Sequence, residues 1–132
     1  MKLGNNRYES TLFNFRLQPV EIRLGTGPSS TAAYDLLRLE YGYGTTGNNG
    51  NVLSQTITVP TVGASTSFTA VQNYTYDSLN RIKDATELIT PNGGSQTQSW
   101  KQTFVFDRYG NRRFDFTGGA TTVPASSCTE AI

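Results

Sequence analysis

Carboxylates are the side chains of this chain best suited to acid–base chemistry, because the sequence contains no histidine. Asp77 and Asp107 lie 30 residues apart at matching positions of a repeated segment. Glycoside hydrolysis uses two such acids about 5–10 Å apart in a cleft. A carboxylate at this position also caps a turn by accepting backbone N–H bonds, and that role already explains both residues. The sequence therefore predicts no catalytic pair and no enzymatic activity.

Metal and thiol chemistry have few candidate residues either. Cys128 is the single cysteine, and without a histidine it can form neither a zinc site nor an activated nucleophile. The asparagine oxygens of residues 48–51 do not follow the spacing of a calcium-binding loop. We predict no catalytic residue, no metal and no cofactor.

Aromatic residues offer binding chemistry. A ring with an apolar face and a polar handle can stack on a sugar, so an aromatic sheet face could recognise carbohydrate. The same rings could instead pack against a neighbouring hairpin as cross-strand pairs. We favour packing and keep carbohydrate binding as the alternative. The candidate residues are Tyr74, Tyr76, Trp100, Phe104 and Phe106.

A basic group near the end of the repeated segment could grip phosphate or an acidic glycan. It consists of Arg108, Arg112 and Arg113. Asp107 and Asp115 belong to the same expected hairpin, so we predict cross-strand ion pairs there, each individually weak.

Composition limits the possible partners. The chain has 132 residues, a formal net charge of +1, 36% hydrophobic and 11% aromatic residues, and 13 glycines. Near-neutral charge gives no support for nucleic-acid binding. No run of eighteen apolar residues occurs, so we predict no membrane insertion, and the first residues carry no signal peptide. The aromatic content and the many turn formers are typical of a β-protein.

A repeat of about 30 residues organises the chain. Residues 74–81 (YTYDSLNR) are matched by residues 104–111 (FVFDRYGN), and a looser copy runs from the aromatic pair Tyr41 and Tyr43 to Gly50. In each clear copy an aromatic pair two residues apart precedes an aspartate and a turn. Aspartate followed three residues later by asparagine or glycine is typical of a type I turn that ends in a left-handed residue. The structural turn residues are Asp77, Asn80, Asp107 and Gly110.

Strand patterns fill the rest of the chain. Residues 52–59 are rich in β-branched side chains and end at Pro60, and residues 13–16 and 20–24 flank another turn. Residues 31–40 could form an amphipathic helix, but strict alternation from Leu37 favours a strand. The sequence predicts an all-β fold of successive antiparallel β-hairpins in a curled, twisted sheet.

The repeat, carried by residues 74–81 and 104–111, resembles the YD repeat of the RHS family, which includes bacterial RHS toxins, the shells of insecticidal toxin complexes and the teneurins. Residues 13–25, with an Arg-Leu-Gln-Pro core, also look like a motif of bacterial RHS proteins. The chain departs from that pattern: the first copy lacks its aspartate, and the third has phenylalanine for both tyrosines and Asn111 for arginine. The resemblance implies a segment of a spiral β-shell that encloses or displays a polypeptide such as a toxin.

This resemblance divides the chain into a hairpin array, residues 1–116, and a Gly/Ser/Thr-rich tail, residues 117–132. It implies neighbouring repeats of a larger polypeptide as partners, with an enclosed toxin domain or a glycan as further candidates. It also implies a secreted or cell-surface location as part of that larger protein. An array without caps would expose unpaired strand edges, so we expect the chain to be a piece of such a protein.

Overall fold

Hairpin follows hairpin along the whole sheet. The computed structural model describes residues 1–63 and 66–122, and Cys128, with the rest of the expected tail beyond Thr122, lies outside these residues. Each strand pairs with its neighbours in sequence, so the strand order is β1 to β8 in one open antiparallel sheet. This confirms the predicted all-β fold of successive antiparallel hairpins. The strands are β1 Tyr8–Phe13, β2 Pro19–Gly25, β3 Leu37–Gly42, β4 Ser54–Val59, β5 Phe68–Tyr76, β6 Ile82–Pro91, β7 Thr97–Phe106 and β8 Arg112–Phe114.

The ambiguous segment after β2 resolves into two elements. A short 3-10 helix, Ser30–Ala33, precedes β3, so the alternation from Leu37 was the correct signal. Only Ala33 of the short helix is buried, and the bulky residues Leu37 and Leu39 belong to the strand. A helix through residues 31–40 would have removed β3 from its place between β2 and β4.

Strand register separates two faces of the sheet, because paired residues on neighbouring strands project to the same side. We call one side the apolar face; its central row runs from Leu39 through Ile57 and Ala70 to Ile89. The opposite side is the polar face. Its adjacent row consists of Arg38, Thr58, Thr69 and Thr90.

A single layer of sheet leaves burial shallow on both faces. Among the described residues only four hydrophobic side chains are buried, and none of the large ones is fully covered. The buried four are Ala33, Ala70, Ala85 and Phe104. Stable sheets normally bury one face against a second layer. The described residues provide no such layer over the apolar face.

The odd-numbered strands all run toward the same end of the sheet, which we call the turn end. It carries the tight turns of residues 14–18, 77–81 and 107–111, together with the longer connection of residues 43–53. At the opposite end, Met1 and Lys2 pair with the start of β1, and Thr122 pairs with Lys101 of β7.

Candidate functional site: the residues that join the hairpins

Two of the predicted turns have the same hydrogen-bond pattern. The Asp77 carboxylate accepts bonds from the backbone N–H groups of Leu79 at 2.9 Å and Arg81 at 3.0 Å. Its second oxygen accepts a bond from the Arg81 guanidinium at 2.7 Å. Hydrogen bonding from Arg81, first from its backbone and then from its side chain, lowers the pKa of Asp77. The carboxylate is thus committed to closing the turn.

Asp107 repeats this arrangement with a different partner. Its carboxylate accepts bonds from the backbone of Tyr109 at 2.8 Å and of Asn111 at 2.9 Å. The Asn111 side-chain amide donates to the other oxygen at 2.8 Å, in the place of the Arg81 guanidinium. That side-chain bond is the first cause of the lowered pKa of Asp107. Asn111, at the position that Arg81 has in the other turn, therefore keeps the turn intact.

The fourth residue of each turn has the left-handed backbone that the sequence predicted. Asn80 has a φ of 59° and Gly110 a φ of 87°. Their backbone N–H groups donate to the backbone carbonyls of Asp77 and Asp107 respectively, at 3.0 and 3.1 Å, which closes each type I turn. The structure thus places all four predicted turn residues in their expected roles.

Residues 14–18 form a third turn of the same kind. The sequence predicted a turn in this region, but the predicted strand over residues 13–16 is wrong: β1 ends at Phe13, because the Asn14 side chain already caps the turn. The Asn14 side-chain oxygen accepts bonds from the backbone of Arg16 at 2.9 Å and of Gln18 at 3.1 Å. Leu17 occupies the left-handed position with a φ of 60°. Leucine is unusual in this conformation, so the sequence did not identify Leu17 as the left-handed residue of the turn. The available clue was Phe13 followed directly by Asn14, which matches the aromatic–aspartate junction of the other copies.

Tyrosine hydroxyls connect successive hairpins. Tyr43 donates to the Pro19 carbonyl at 2.9 Å, and Tyr76 donates to the Val52 carbonyl at 2.7 Å. The sequence separation is 24 residues in both cases. Each tyrosine therefore reaches the beginning of the second strand of the hairpin before it, at Pro19 of β2 or at Val52, two residues before β4. Burial raises the pKa of both hydroxyls, which keeps them protonated as donors.

The third copy has no hydroxyl at this position and uses a different contact. The Arg81 guanidinium lies over the Phe106 ring, 4.0 Å from its centroid. Asp77 holds that guanidinium in place, so the preceding turn and the following aromatic pair are linked. Phe104 is buried and packs on Phe114, with 5.3 Å between ring centroids.

Side-chain amides add a second set of links along the turn end. Asn48 and Gln18 exchange two amide hydrogen bonds, at 2.9 and 3.1 Å. The Asn80 side-chain oxygen accepts bonds from Asn49 at 2.9 Å and from Asn51 at 3.0 Å. Residues 48–51, considered at first for calcium, thus lie between two tight turns and bind both. Their role depends on long-range pairing, so local spacing gave no signal for it.

A polar network crosses the middle of the apolar face. The Tyr74 hydroxyl donates to Gln72, and the Gln72 amide donates to Glu87 at 2.7 Å. Trp100 lies opposite Glu87 in the β6–β7 pair and is half-buried. Near Tyr74 the face has an open depression of about 260 Å³. It is lined by Tyr41, Val52, Gln55, Tyr74, Tyr76 and Ile82.

The five candidate aromatic residues therefore share the apolar face but differ in accessibility. Phe104 is buried, and the Phe106 ring is covered by Arg81. Tyr74, Tyr76 and Trp100 are half-buried. Phe106 is half-buried as well, but Arg81 lies over its ring, so Tyr74, Tyr76 and Trp100 are the better candidates for contact with a sugar.

The prediction of cross-strand ion pairs in the basic group is wrong. None of its three arginines lies within ion-pair distance of Asp107 or Asp115. Asp107 is engaged by its own turn, and the Arg112 guanidinium instead lies 4.6 Å from the centre of the Phe104 ring. Asp115 accepts a bond from the backbone of Thr117 at 3.0 Å. Local capping and ring stacking thus replace the cross-strand pairing.

The strongest electrostatic cluster lies on the polar face, away from the repeat. Glu21 is buried and accepts bonds from the guanidinium groups of Arg23, at 2.7 and 2.8 Å, and of Arg38. The hydrogen bond from Arg23, followed by that from Arg38, lowers the pKa of Glu21 from 4.5 to about 2. The ring of Tyr34 lies 5.6 and 5.5 Å from the two guanidinium carbons. Glu40 also pairs with Arg38, at 3.1 Å, so two carboxylates balance two guanidinium groups, which suits a structural role.

The described residues contain no group of three or more potential metal-binding side chains, and none of their helices is long and apolar enough to cross a membrane. No family model, curated protein or solved structure matches the chain significantly. The repeat geometry described above is therefore the basis for a functional assignment.

Proposed function

We propose that this chain is a structural segment of an RHS/YD-repeat protein, building a β-shell that encloses or displays a polypeptide such as a toxin. The observation that carries this proposal is the equivalence of the two tyrosine contacts: Tyr43 with Pro19 and Tyr76 with Val52. The defining side chains of the repeat are used to join hairpins. A sheet assembled in this way can be extended by further copies of the same unit.

The apolar face supplies the surface for an enclosed chain. Its row from Leu39 to Ile89 is half-buried by neighbouring strands, apart from Ala70, which is buried, and no second layer of described residues covers it. An exposed apolar sheet face usually marks an interaction site. A polypeptide with little structure of its own is a suitable occupant, because such chains present apolar side chains along an extended surface. The proposed location is outside the cell or on its surface, as part of a larger protein.

Binding to a permanently unfolded polypeptide tests this role. Reduced, carboxymethylated α-lactalbumin is a suitable probe, titrated against the chain by fluorescence anisotropy. Ile57→Gln makes the apolar face polar, while Thr58→Gln is a matched change on the polar face of the same strand. We expect Ile57→Gln to weaken binding severalfold and Thr58→Gln to leave it unchanged. Equal effects of the two changes, or no binding by the parent chain, would contradict the proposal.

Carbohydrate binding remains a second candidate because of the depression beside Tyr74. Tyrosine rings and the Gln55 amide line it together, a combination typical of sugar recognition. A glycan array with the purified chain separates the two functions. A signal that is lost in Tyr74→Ala and retained in Tyr109→Ala would support the carbohydrate site. We expect no such signal from a purely structural sheet.

A further inference from the structure

The two outer strands of the sheet expose backbone groups that complement each other. On β1, the Glu9 N–H donates to the Met1 carbonyl at 2.8 Å, and the Met1 amino group donates back to the Glu9 carbonyl. Both polar groups of Glu9 therefore point away from β2. Because backbone direction alternates along a strand, those of Thr11 and Phe13 point outward as well. Among the described residues, no backbone partner is found on that outer side for Thr11 or Phe13.

The same reasoning applies to β8. Lys101 of β7 exchanges backbone bonds with Thr122, at 3.1 and 2.7 Å, on the side away from β6. Val105, four residues later, points the same way and pairs with Arg113. Arg113 thus faces β7, and its neighbours Arg112 and Phe114 present their N–H and C=O groups to the outside.

Two outward residues, two positions apart, thus occur on each edge near the turn end. We infer that a second copy of this chain adds its β1 to the outer edge of β8, pairing Thr11 with Phe114 and Phe13 with Arg112. The strand order stays antiparallel, because β8 and β1 run in opposite directions in the alternating sheet. The alternative register, two residues further along, pairs Glu9 with Phe114 and leaves Phe13 without a partner on β8, which begins at Arg112. This inference goes beyond the proposed function, since it needs only the two edges.

Side chains support the same register. Thr11 and Phe13 lie on the apolar face, as do Phe114 and Arg112, so both side chains of each proposed pair project to the same face. Phe13 is 57% exposed in the single chain. Its position, directly before a tight turn, corresponds to that of Phe106, whose ring is covered by Arg81 of the preceding hairpin. In the joined sheet, Arg112, whose guanidinium lies over the Phe104 ring in the single chain, stands opposite Phe13.

At the opposite end of the sheet, pairing of β1 with β8 of another copy requires a small rearrangement. Met1 and Lys2 of one copy, and Thr121 and Thr122 of the other, fall between the same two strands. One of these short segments must leave before the strands can pair fully. The first segment is held by the Lys2–Tyr8 bridge and the backbone bonds around it. The second is held by the Lys101–Thr122 bridge and by side-chain bonds of Thr121 and Thr122, so one of these two sets of bonds is exchanged for two hydrogen-bonded strand pairs. Removal of Met1 and Lys2, with Leu3→Met as the new start, should therefore strengthen association.

Disulfide trapping tests the register in the intact chain. Leu12 and Arg113 form the non-hydrogen-bonded pair of the proposed joint, with Cα atoms about 4.5 Å apart, within the range for a disulfide. In a Cys128→Ser background, we expect Leu12→Cys mixed with Arg113→Cys to form heterodimers at least about tenfold faster than Thr11→Cys mixed with Arg113→Cys. Thr11 belongs to the same edge but to the other face. Equal rates for the two mixtures would overturn the inference.

Sedimentation velocity with far-UV circular dichroism provides the second test. Head-to-tail pairing does not close, so the average mass should rise with concentration beyond that of a dimer. Thr11→Pro removes only an outward N–H and should shift the chain toward monomer, while Thr11→Val should not. A parent chain that stays monomeric, folded or unfolded, would overturn the inference, as would unchanged association of Thr11→Pro. Because polypeptide capture is measured separately on the apolar face, the joint and the proposed function can fail independently.

Discussion

The Tyr76 hydroxyl donates to the Val52 carbonyl at 2.7 Å, across the boundary between one hairpin and the next. Tyr43 makes the same bond to Pro19 over the same sequence separation of 24 residues. The second aromatic residue of the repeat therefore links each hairpin to the one before it. This relationship explains why the motif recurs at hairpin spacing, and it makes the energetic role of each ring measurable.

Removing the Tyr76 hydroxyl should destabilise the sheet. We expect Tyr76→Phe to lower the free energy of unfolding by about 0.5–1.5 kcal/mol, because a half-buried hydrogen bond is lost. Urea denaturation measures this change. Tyr109→Phe is the control, since Tyr109 is 73% exposed and makes no contact between hairpins through its hydroxyl. Equal stability of Tyr76→Phe and the parent would mean that the bond from Tyr76 to Val52 does not stabilise the sheet.

The left-handed position in the β7–β8 turn should reject a β-branched residue. Gly110 has a φ of 87°, and a Cβ added there would meet no atom within 4 Å. Any cost of Gly110→Val therefore comes from the backbone alone, and we expect a loss of at least about 1–2 kcal/mol. Thermal unfolding monitored by circular dichroism measures it. A Gly110→Val variant as stable as the parent would mean that the turn has another conformation.

Leu17 offers the opposite test, because a poorly suited residue already occupies the equivalent position. Its φ is 60° and its side chain is 81% exposed, so little packing is lost on substitution. Leu17→Asn should raise the free energy of unfolding by about 1 kcal/mol, since asparagine tolerates this conformation better. Leu79→Asn, at an exposed leucine one residue before the left-handed position of the Asp77 turn, controls for a general effect of replacing leucine by asparagine. A loss of stability in Leu17→Asn would indicate that the leucine side chain has packing value of its own.

Glu21 should make the sheet sensitive to strong acid. Its pKa is lowered from 4.5 to about 2 in the folded chain, so its ion pairs stabilise the fold above pH 4.5. That contribution is lost as the pH falls from about 4.5 through 2. Glu21→Gln should therefore flatten this part of the stability–pH curve and lower stability near pH 7. Urea titrations at pH 7 and pH 3 measure both effects; parallel curves for variant and parent would contradict the assigned pairing.

The fold was predictable where a residue's role is local. Strand alternation from Leu37 and the capped turns at Asp77 and Asp107 depend on near neighbours in sequence, and each was recognised correctly. Links over about 30 residues were not, because the amides of Asn48 and Asn49 find partners only once hairpins lie side by side. Leu17 was placed in a turn, but its left-handed backbone was not recognised, because tertiary structure imposes on it a conformation against its own preference.

Of the candidate aromatic residues, the sequence predicted the shared face but could not rank accessibility. Whether a ring is open depends on what lies beside it, and Phe106 is covered by an arginine from another hairpin. The partners of the basic group could not be predicted for the same reason. Its arginines and aspartates are close in sequence, but capping bonds to the backbone occupy the carboxylates first.

Phe106→Tyr is the most direct test that the repeat position joins each hairpin to the one before it. Twenty-four residues before Phe106 stands Ile82, the first residue of β6, as Pro19 is the first residue of β2. A hydroxyl added to Phe106 should reach the Ile82 carbonyl, and urea denaturation should show a gain of about 0.5–1.5 kcal/mol over the parent chain. An unchanged or lower stability would contradict the claim that this repeat position links successive hairpins, because a hydroxyl placed there would then form no stabilising bond.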